Sequence, residues 1–180
     1  ARRVSPKFEK ILITMGGVDK DNATGQVLRA LQVCQLPAEL SITVVMGPHA
    51  PWLNQVKAQA AQMSCPTQVL VGVSDMARLM SESDMAIGAA GGTSLERCCL
   101  GLPSLVLVLA PNQQDGAMAL QKMGAVIALQ SSDEIPQLLL ELIGSAYFAQ
   151  RLQTLVHAAA SVTDGAGVNR VVEKMLNLYD

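Results

Sequence analysis

Short apolar runs rich in β-branched residues alternate with segments of helical periodicity almost without interruption along this chain. Such a pattern describes repeated strand–helix–strand units, in which a parallel sheet is buried between helices. The strands predicted are Lys10–Met15, Ser41–Met46, Gln68–Val71, Met85–Ala89, Ser104–Leu109 and Val126–Leu129. Helical spacing falls between them at Ala23–Val33, Pro51–Met63, Met76–Glu82, Thr93–Leu100 and Gly116–Met123. It continues after the last strand at Glu134–Ile143, Ala146–Ala160 and Val168–Leu178. The expected class is α/β: a Rossmann-like, doubly wound parallel sheet of six strands with a helical C-terminal tail.

Right-handed crossovers put helices on both faces of such a sheet, and ligands bind beyond the carboxyl ends of the strands near the point where strand order reverses. The loops that matter are therefore 16–22, 47–51, 72–75, 90–94 and 110–115. With 180 residues and 50% hydrophobic content, the chain suits one compact domain with a full core. Its polar opening, ARRVSPKFEK, reads as a linker over residues 1–9, leading into a domain over 10–180 that is a piece of something longer.

Composition removes several function classes. Thirteen basic and fifteen acidic residues give a net charge of −2, and aromatics make up only 3%, so there is neither a basic stripe nor stacking residues for nucleic acid. No apolar stretch reaches the ~20 residues of a membrane span. The four cysteines, Cys34, Cys65, Cys98 and Cys99, lack the two-residue spacing of a metal loop; they read as packing thiols and fit a cytoplasmic location. No metal and no cofactor are expected. The first turn, MGGVDKDN, lacks the G-x-G-x-x-G spacing, and the second strand ends without a ribose-binding acid, which argues against a nicotinamide dinucleotide.

The segment MAIGAAGGTSLERCCLG, residues 85–101, is a strand that breaks into small residues and then opens a helix. Amide groups at such a turn carry partial positive charge and hold an anion without Lys or Arg, which points to a nucleotide diphosphate bound at Gly92, Thr93 and Ser94. Glu96 has two readings. It completes a capping box with Thr93, or its carboxylate accepts from both hydroxyls of a ribose. The small residues Gly88 to Gly92 keep the turn open and favour the second.

Gly16 and Gly17 either let backbone approach a phosphate or merely make a tight turn. In the 72–76 loop, Ser74 and Asp75 suit helix caps, while the backbone at Val73 can read a base edge with Met76 against the ring. Asn112 or Asp115 can cap the next helix, but consecutive amides at Asn112, Gln113 and Gln114 exceed what a cap requires and suit phosphate and sugar hydroxyls. His157 reads as surface or packing, and His49 lacks a partner carboxylate that would mark a base.

Taken in order, MGGVDKDN, VVMGPHAP and VSDMARLMSESDMAIGAAGGTSLERCCLGLPSLVLVLAPNQ resemble the C-terminal half of the UDP-sugar hydrolases of pseudaminic acid biosynthesis, from about Lys10 to Ala128. Those enzymes release UDP from UDP-2,4-diacetamido-2,4,6-trideoxy-β-L-altropyranose. The layout also resembles the donor-binding half of MurG-type glycosyltransferases, in which two Rossmann-like domains face each other across a cleft, the GT-B arrangement. A noncatalytic sugar-nucleotide sensor is a third possibility. The resemblance implies a UDP-sugar ligand and an N-terminal domain of the same full-length chain as partner. It assigns Gly16 and Gly17 to the phosphates, the Val73 loop to uracil, Gly92, Thr93 and Ser94 to the diphosphate, Glu96 to the ribose, and Asn112 with Gln113 to the sugar. It also implies that the general base, a histidine of the N-terminal half, lies outside this chain.

Overall fold

The computed structural model describes residues 8–177; predicted linker residues 1–7 and the predicted helix end at Leu178 lie outside them. The strands are β1 (Lys10–Thr14), β2 (Ser41–Met46), β3 (Thr67–Val71), β4 (Met85–Ala89), β5 (Ser104–Leu107) and β6 (Ile127–Leu129). They form one sheet in the order β3-β2-β1-β4-β5-β6, and every pair is parallel. This is the doubly wound order expected, and it reverses between β1 and β4. The helices are α1 (Ala23–Gln32), α2 (Leu53–Ala60), α3 (Met76–Glu82), α4 (Thr93–Cys99), α5 (Gln114–Lys122), α6 (Ile135–Ile143), α7 (Phe148–Val162) and α8 (Gly167–Leu176).

Alternation along β1 shows how the sequence covers both sheet faces. Ile11 and Ile13 pack with Val27, Leu28 and Leu31 of α1, whereas Leu12 packs with Met80 of α3 on the other side. All are nearly inaccessible to solvent, and each such side chain contributes about 1.5–3 kcal/mol by leaving water. A third cluster joins Cys98 of α4, Val106 of β5, Ala117 and Leu120 of α5 and Ala159 of α7. The adjacent thiols part as expected, Cys98 buried and Cys99 exposed. Helix α8 buries no residue and leaves Val168, Val171, Val172, Met175 and Leu176 accessible.

Many element ends shift by one to three residues from the periodicity, and two of the shifts have a visible local cause. Strand β5 stops at Leu107 rather than Leu109 because the Leu109 N–H donates to the Gln113 side chain at 2.9 Å instead of to a neighbouring strand. Helix α2 begins at Leu53 rather than Pro51, since Trp52 is held in a turn by its indole N–H, which donates to the Lys20 carbonyl at 2.9 Å.

That contact ties the β2–α2 loop to the β1–α1 loop, and Gly47 makes the tie closer still. A Cβ added there would stand 1.9 Å from the Gly17 carbonyl oxygen, so the two backbones meet only because position 47 has no side chain. Gly47→Ala is expected to destabilise the chain by ~2–4 kcal/mol, read from the urea unfolding midpoint. An unchanged midpoint would show that the loops do not meet this closely.

Candidate functional site

The topological reversal puts the loops after β1 and β4 side by side, with Thr14 paired in register to Gly88. Glycine is required at position 88: an added Cβ would lie 2.6 Å from Nη1 of Arg97 and 2.8 Å from the Thr14 carbonyl oxygen. Beyond it the chain runs through Ala89, Ala90 and Gly91 to Gly92, which caps α4 without any side-chain hydrogen bond. Thr93 is already helical, so the Thr93–Glu96 capping box does not form. The capping box of this structure is Ser131–Glu134, ahead of α6.

The consequence is a loop with unspent donors. Ser94 N–H donates to the Gly91 carbonyl and Leu95 N–H to the Gly92 carbonyl, whereas the N–H groups of Gly91, Gly92 and Thr93 have no partner among the described residues. Added side-chain atoms at Gly92, Gly16 or Gly17 would meet nothing within 4 Å, so all three border open space. Ser94 is different: its hydroxyl is buried, 3.3 Å from the Ala89 carbonyl, and accepts from Arg97 Nη2 at 2.9 Å. It faces the protein and anchors the loop.

The first turn has the opposite economy. Asp19 and Asn22 both sit in the left-handed region, and both are buried. The Asp19 carboxylate accepts from the N–H of Ala23 at 2.7 Å and of Thr24 at 3.0 Å, and the Asn22 side chain accepts from Gly25 N–H at 3.0 Å. The amides opening α1 are thus occupied by the chain's own oxygens, leaving exposed Gly16 and Gly17 as the accessible backbone of this turn.

The remaining expected residues fall on two sides of this centre. On the α3 side, Asp75 caps α3 through Arg78 N–H at 3.0 Å, and half-buried Val73 and Met76 pack against the cluster of Leu12, Val45 and Met80. Glu96 is exposed and lines a groove of about 520 Å³ with Ala77, Met80, Cys99, Leu100 and Val168. On the β5 side, neither Asn112 nor Asp115 caps a helix; Pro111–Gln113 form a 3-10 turn that runs into α5. The Gln113 amide nitrogen lies 4.0 Å from where a Gly91 side chain would begin, while Asn112 is exposed. His49 and His157 are both exposed.

Arg97, Asp19 and Asn22 are missed by the sequence reading. Asp and Asn just before a helix are cap signals that could have marked the latter two. Arg97, following Glu96 on a short helix, reads as half of a solvated charge pair. Instead it is 1% exposed, with Nη2 donating to the Ala89 carbonyl at 2.9 Å and with Nε and Nη1 unpartnered. Desolvation lowers its pKa to about 10, which still leaves it charged at neutral pH.

A doubly wound six-stranded domain with its open loops at the β1/β4 reversal is Rossmann-like, and the matches to known proteins make it the C-terminal half of a GT-B fold. The family model for the glycosyltransferase family 28 C-terminal domain matches residues 10–171, and the chain belongs to that family. It is 27% identical over 172 residues to the spore coat polysaccharide biosynthesis protein SpsG of Bacillus subtilis, covering 94% of this chain and 50% of SpsG. It is similar to the crystal structure of Acinetobacter baumannii MurG, with a TM-score of 0.78, 25% identity, and coverage of 95% of this chain and 50% of MurG. A UDP co-structure of Staphylococcus aureus MnaA shares the fold, with a TM-score of 0.74, 17% identity, and coverage of 94% and 47%. The chain thus spans about half the length of the relatives it matches.

This family overturns the expectation of a UDP-sugar hydrolase of pseudaminic acid biosynthesis; the match is to glycosyltransferases. The motifs carrying that expectation build a Rossmann-like frame with an open glycine turn, which is common to enzymes of different outcome. Among the described residues, no helix is long and apolar enough to cross a membrane.

Asp19→Ala removes the acceptor of two buried N–H groups and leaves both unsatisfied. A loss of ~2–3 kcal/mol is expected in urea unfolding, whereas a change below about 0.5 kcal/mol would show that water replaces the carboxylate.

Proposed function

We propose that this chain is the donor-binding half of a family 28 glycosyltransferase, and that it holds the UDP part of a UDP-sugar at the β1/β4 reversal. The observation that carries the reading is the set of unpartnered N–H groups at Gly91, Gly92 and Thr93, placed at the ligand end of a sheet whose family transfers sugars. Donors fixed in place before the reaction stabilise charge that develops on a leaving diphosphate without having to reorganise. Gly16 and Gly17 offer backbone to the phosphates from the neighbouring turn, and Ser94 serves by anchoring the loop.

The two flanks divide the rest of the donor. Glu96 accepts from the ribose hydroxyls, with the backbone at Val73 toward uracil and Met76 beside the ring, because these three lie on the α3 side of the diphosphate. Asn112 and Gln113, across the loop on the β5 side, face the sugar. Acceptor binding and the base that activates the acceptor hydroxyl belong to an N-terminal domain of the longer protein, facing this half across the cleft. The four free thiols support a cytoplasmic setting, where reduced cysteines persist.

Calorimetric titration of the chain with UDP and CDP tests the reading: saturable UDP binding and weaker CDP binding are expected, and no UDP heat at millimolar ligand would overturn it. Glu96→Gln tests the ribose assignment separately. Glu96 is exposed and caps nothing, so the substitution should weaken UDP binding roughly tenfold while moving the melting temperature by less than about 2 °C. Equal affinity in the variant would remove Glu96 from the site.

A further inference from the structure

Arg97 is the largest of the fully buried side chains, and no carboxylate among the described residues pairs with it. One nitrogen, Nη2, binds both ends of the loop over residues 89–94, through the Ala89 carbonyl and the Ser94 hydroxyl, each at 2.9 Å. The other two, Nε and Nη1, are sealed from solvent without an acceptor, and Nη1 presses so closely on position 88 that only glycine fits there. An apolar side chain would fill this volume without the penalty of taking an ion out of water unpaired. The grip of Nη2 on the loop does not need Nε and Nη1, and an arriving opposite charge would offset the cost of sealing them in.

We propose that Arg97 is a positioning residue for an anionic ligand: a fixed positive charge beneath the 89–94 loop whose counter-charge is the diphosphate of the bound nucleotide. The inference rests on the donor-binding reading above and names what that reading left out. The loop amides supply directed hydrogen bonds, while the guanidinium beneath them supplies net charge and holds the loop in shape. Because the charge is sealed in a low-dielectric interior, counter-ions screen it far less than a surface Lys. This lets the crevice, whose 16–22 loop carries the exposed Lys20, favour a multiply charged ligand over a neutral one from beneath as well.

Two substitutions separate charge from packing. Arg97→Gln removes the charge but keeps an amide able to donate to Ala89 and Ser94; Arg97→Lys keeps the charge but loses the planar fork. Each is titrated with UDP, uridine and inorganic pyrophosphate alongside the parent chain, with thermal unfolding as control. Arg97→Gln is expected to weaken UDP and pyrophosphate roughly tenfold while uridine changes less than about twofold, and Arg97→Lys to stay within about threefold on all probes. A parallel fall for uridine and UDP, or unchanged UDP affinity in Arg97→Gln, overturns the proposal; so do equal losses of UDP affinity in Arg97→Gln and Arg97→Lys, the result expected if loop shape rather than charge is what Arg97 supplies. Should Arg97→Gln fail to fold, Arg97→Lys decides: a loss beyond about tenfold for UDP at unchanged melting temperature overturns it. Pyrophosphate bound in an Arg97-dependent way without preference for UDP would keep the charge inference and defeat the nucleotide reading. No binding of either probe by the parent chain would defeat both.

Discussion

The parallel pairing of β1 with β4, and the residues crowded beneath it, fix everything else at the ligand end of this sheet. Thr14 and Gly88 lie side by side in register, and the Arg97 guanidinium fills the space that a side chain at 88 would need. Strand order reverses at this pairing, so helices after β1 leave toward one face and helices after β4 toward the other, opening a crevice between their loops. Arg97 then reaches back from α4 to grip Ala89 and Ser94, so the loop that follows β4 takes its shape from the core side. Its outer edge is left with unused donors.

The two loops at the crevice show how differently one chain treats the same geometric problem. Opening a helix leaves several N–H groups without intrahelical partners. At α1, Asp19 and Asn22 fold back and occupy them, which needs left-handed backbone at both residues and places a carboxylate under the turn. At α4 the corresponding positions are Ala89 and Gly92, neither of which has a polar side chain to offer. The first turn thus has its helix-opening amides occupied, whereas the second keeps bare amides. The division between a self-satisfied turn and an open turn supports the proposal that a diphosphate sits at the loop after β4.

Strand positions were most legible in β1, β4 and β5, which are buried on both faces and read as nearly continuous apolar runs, as at Ile11, Leu12 and Ile13. Element ends were less so, since Trp52 delays α2 by a contact with the distant Lys20 and Gln113 ends β5 through a side-chain bond to Leu109 that hydrophobic periodicity does not show. At the site, the glycine turn at 91–92 is legible from composition alone. Arg97 is not: a charged residue beside Glu96 looks solvated until the tertiary fold shows that α4 turns it inward. The Thr93–Glu96 spacing misleads in the same way, because a capping box also requires Thr93 outside the helix, and the turn starts the helix one residue earlier.

The distinction between hydrolysis and transfer illustrates a limit set by chemistry. Both outcomes begin with the same event, departure of a nucleotide diphosphate from the anomeric carbon, and both need the same stabilised leaving group. They differ in whether water or an acceptor hydroxyl attacks the anomeric carbon, on the side away from the leaving group. Motifs that recognise the leaving group are therefore blind to the nucleophile. Family membership discriminates where the motifs do not because it weighs the pattern over residues 10–171, including segments such as α6 and α7 that take no part in the crevice.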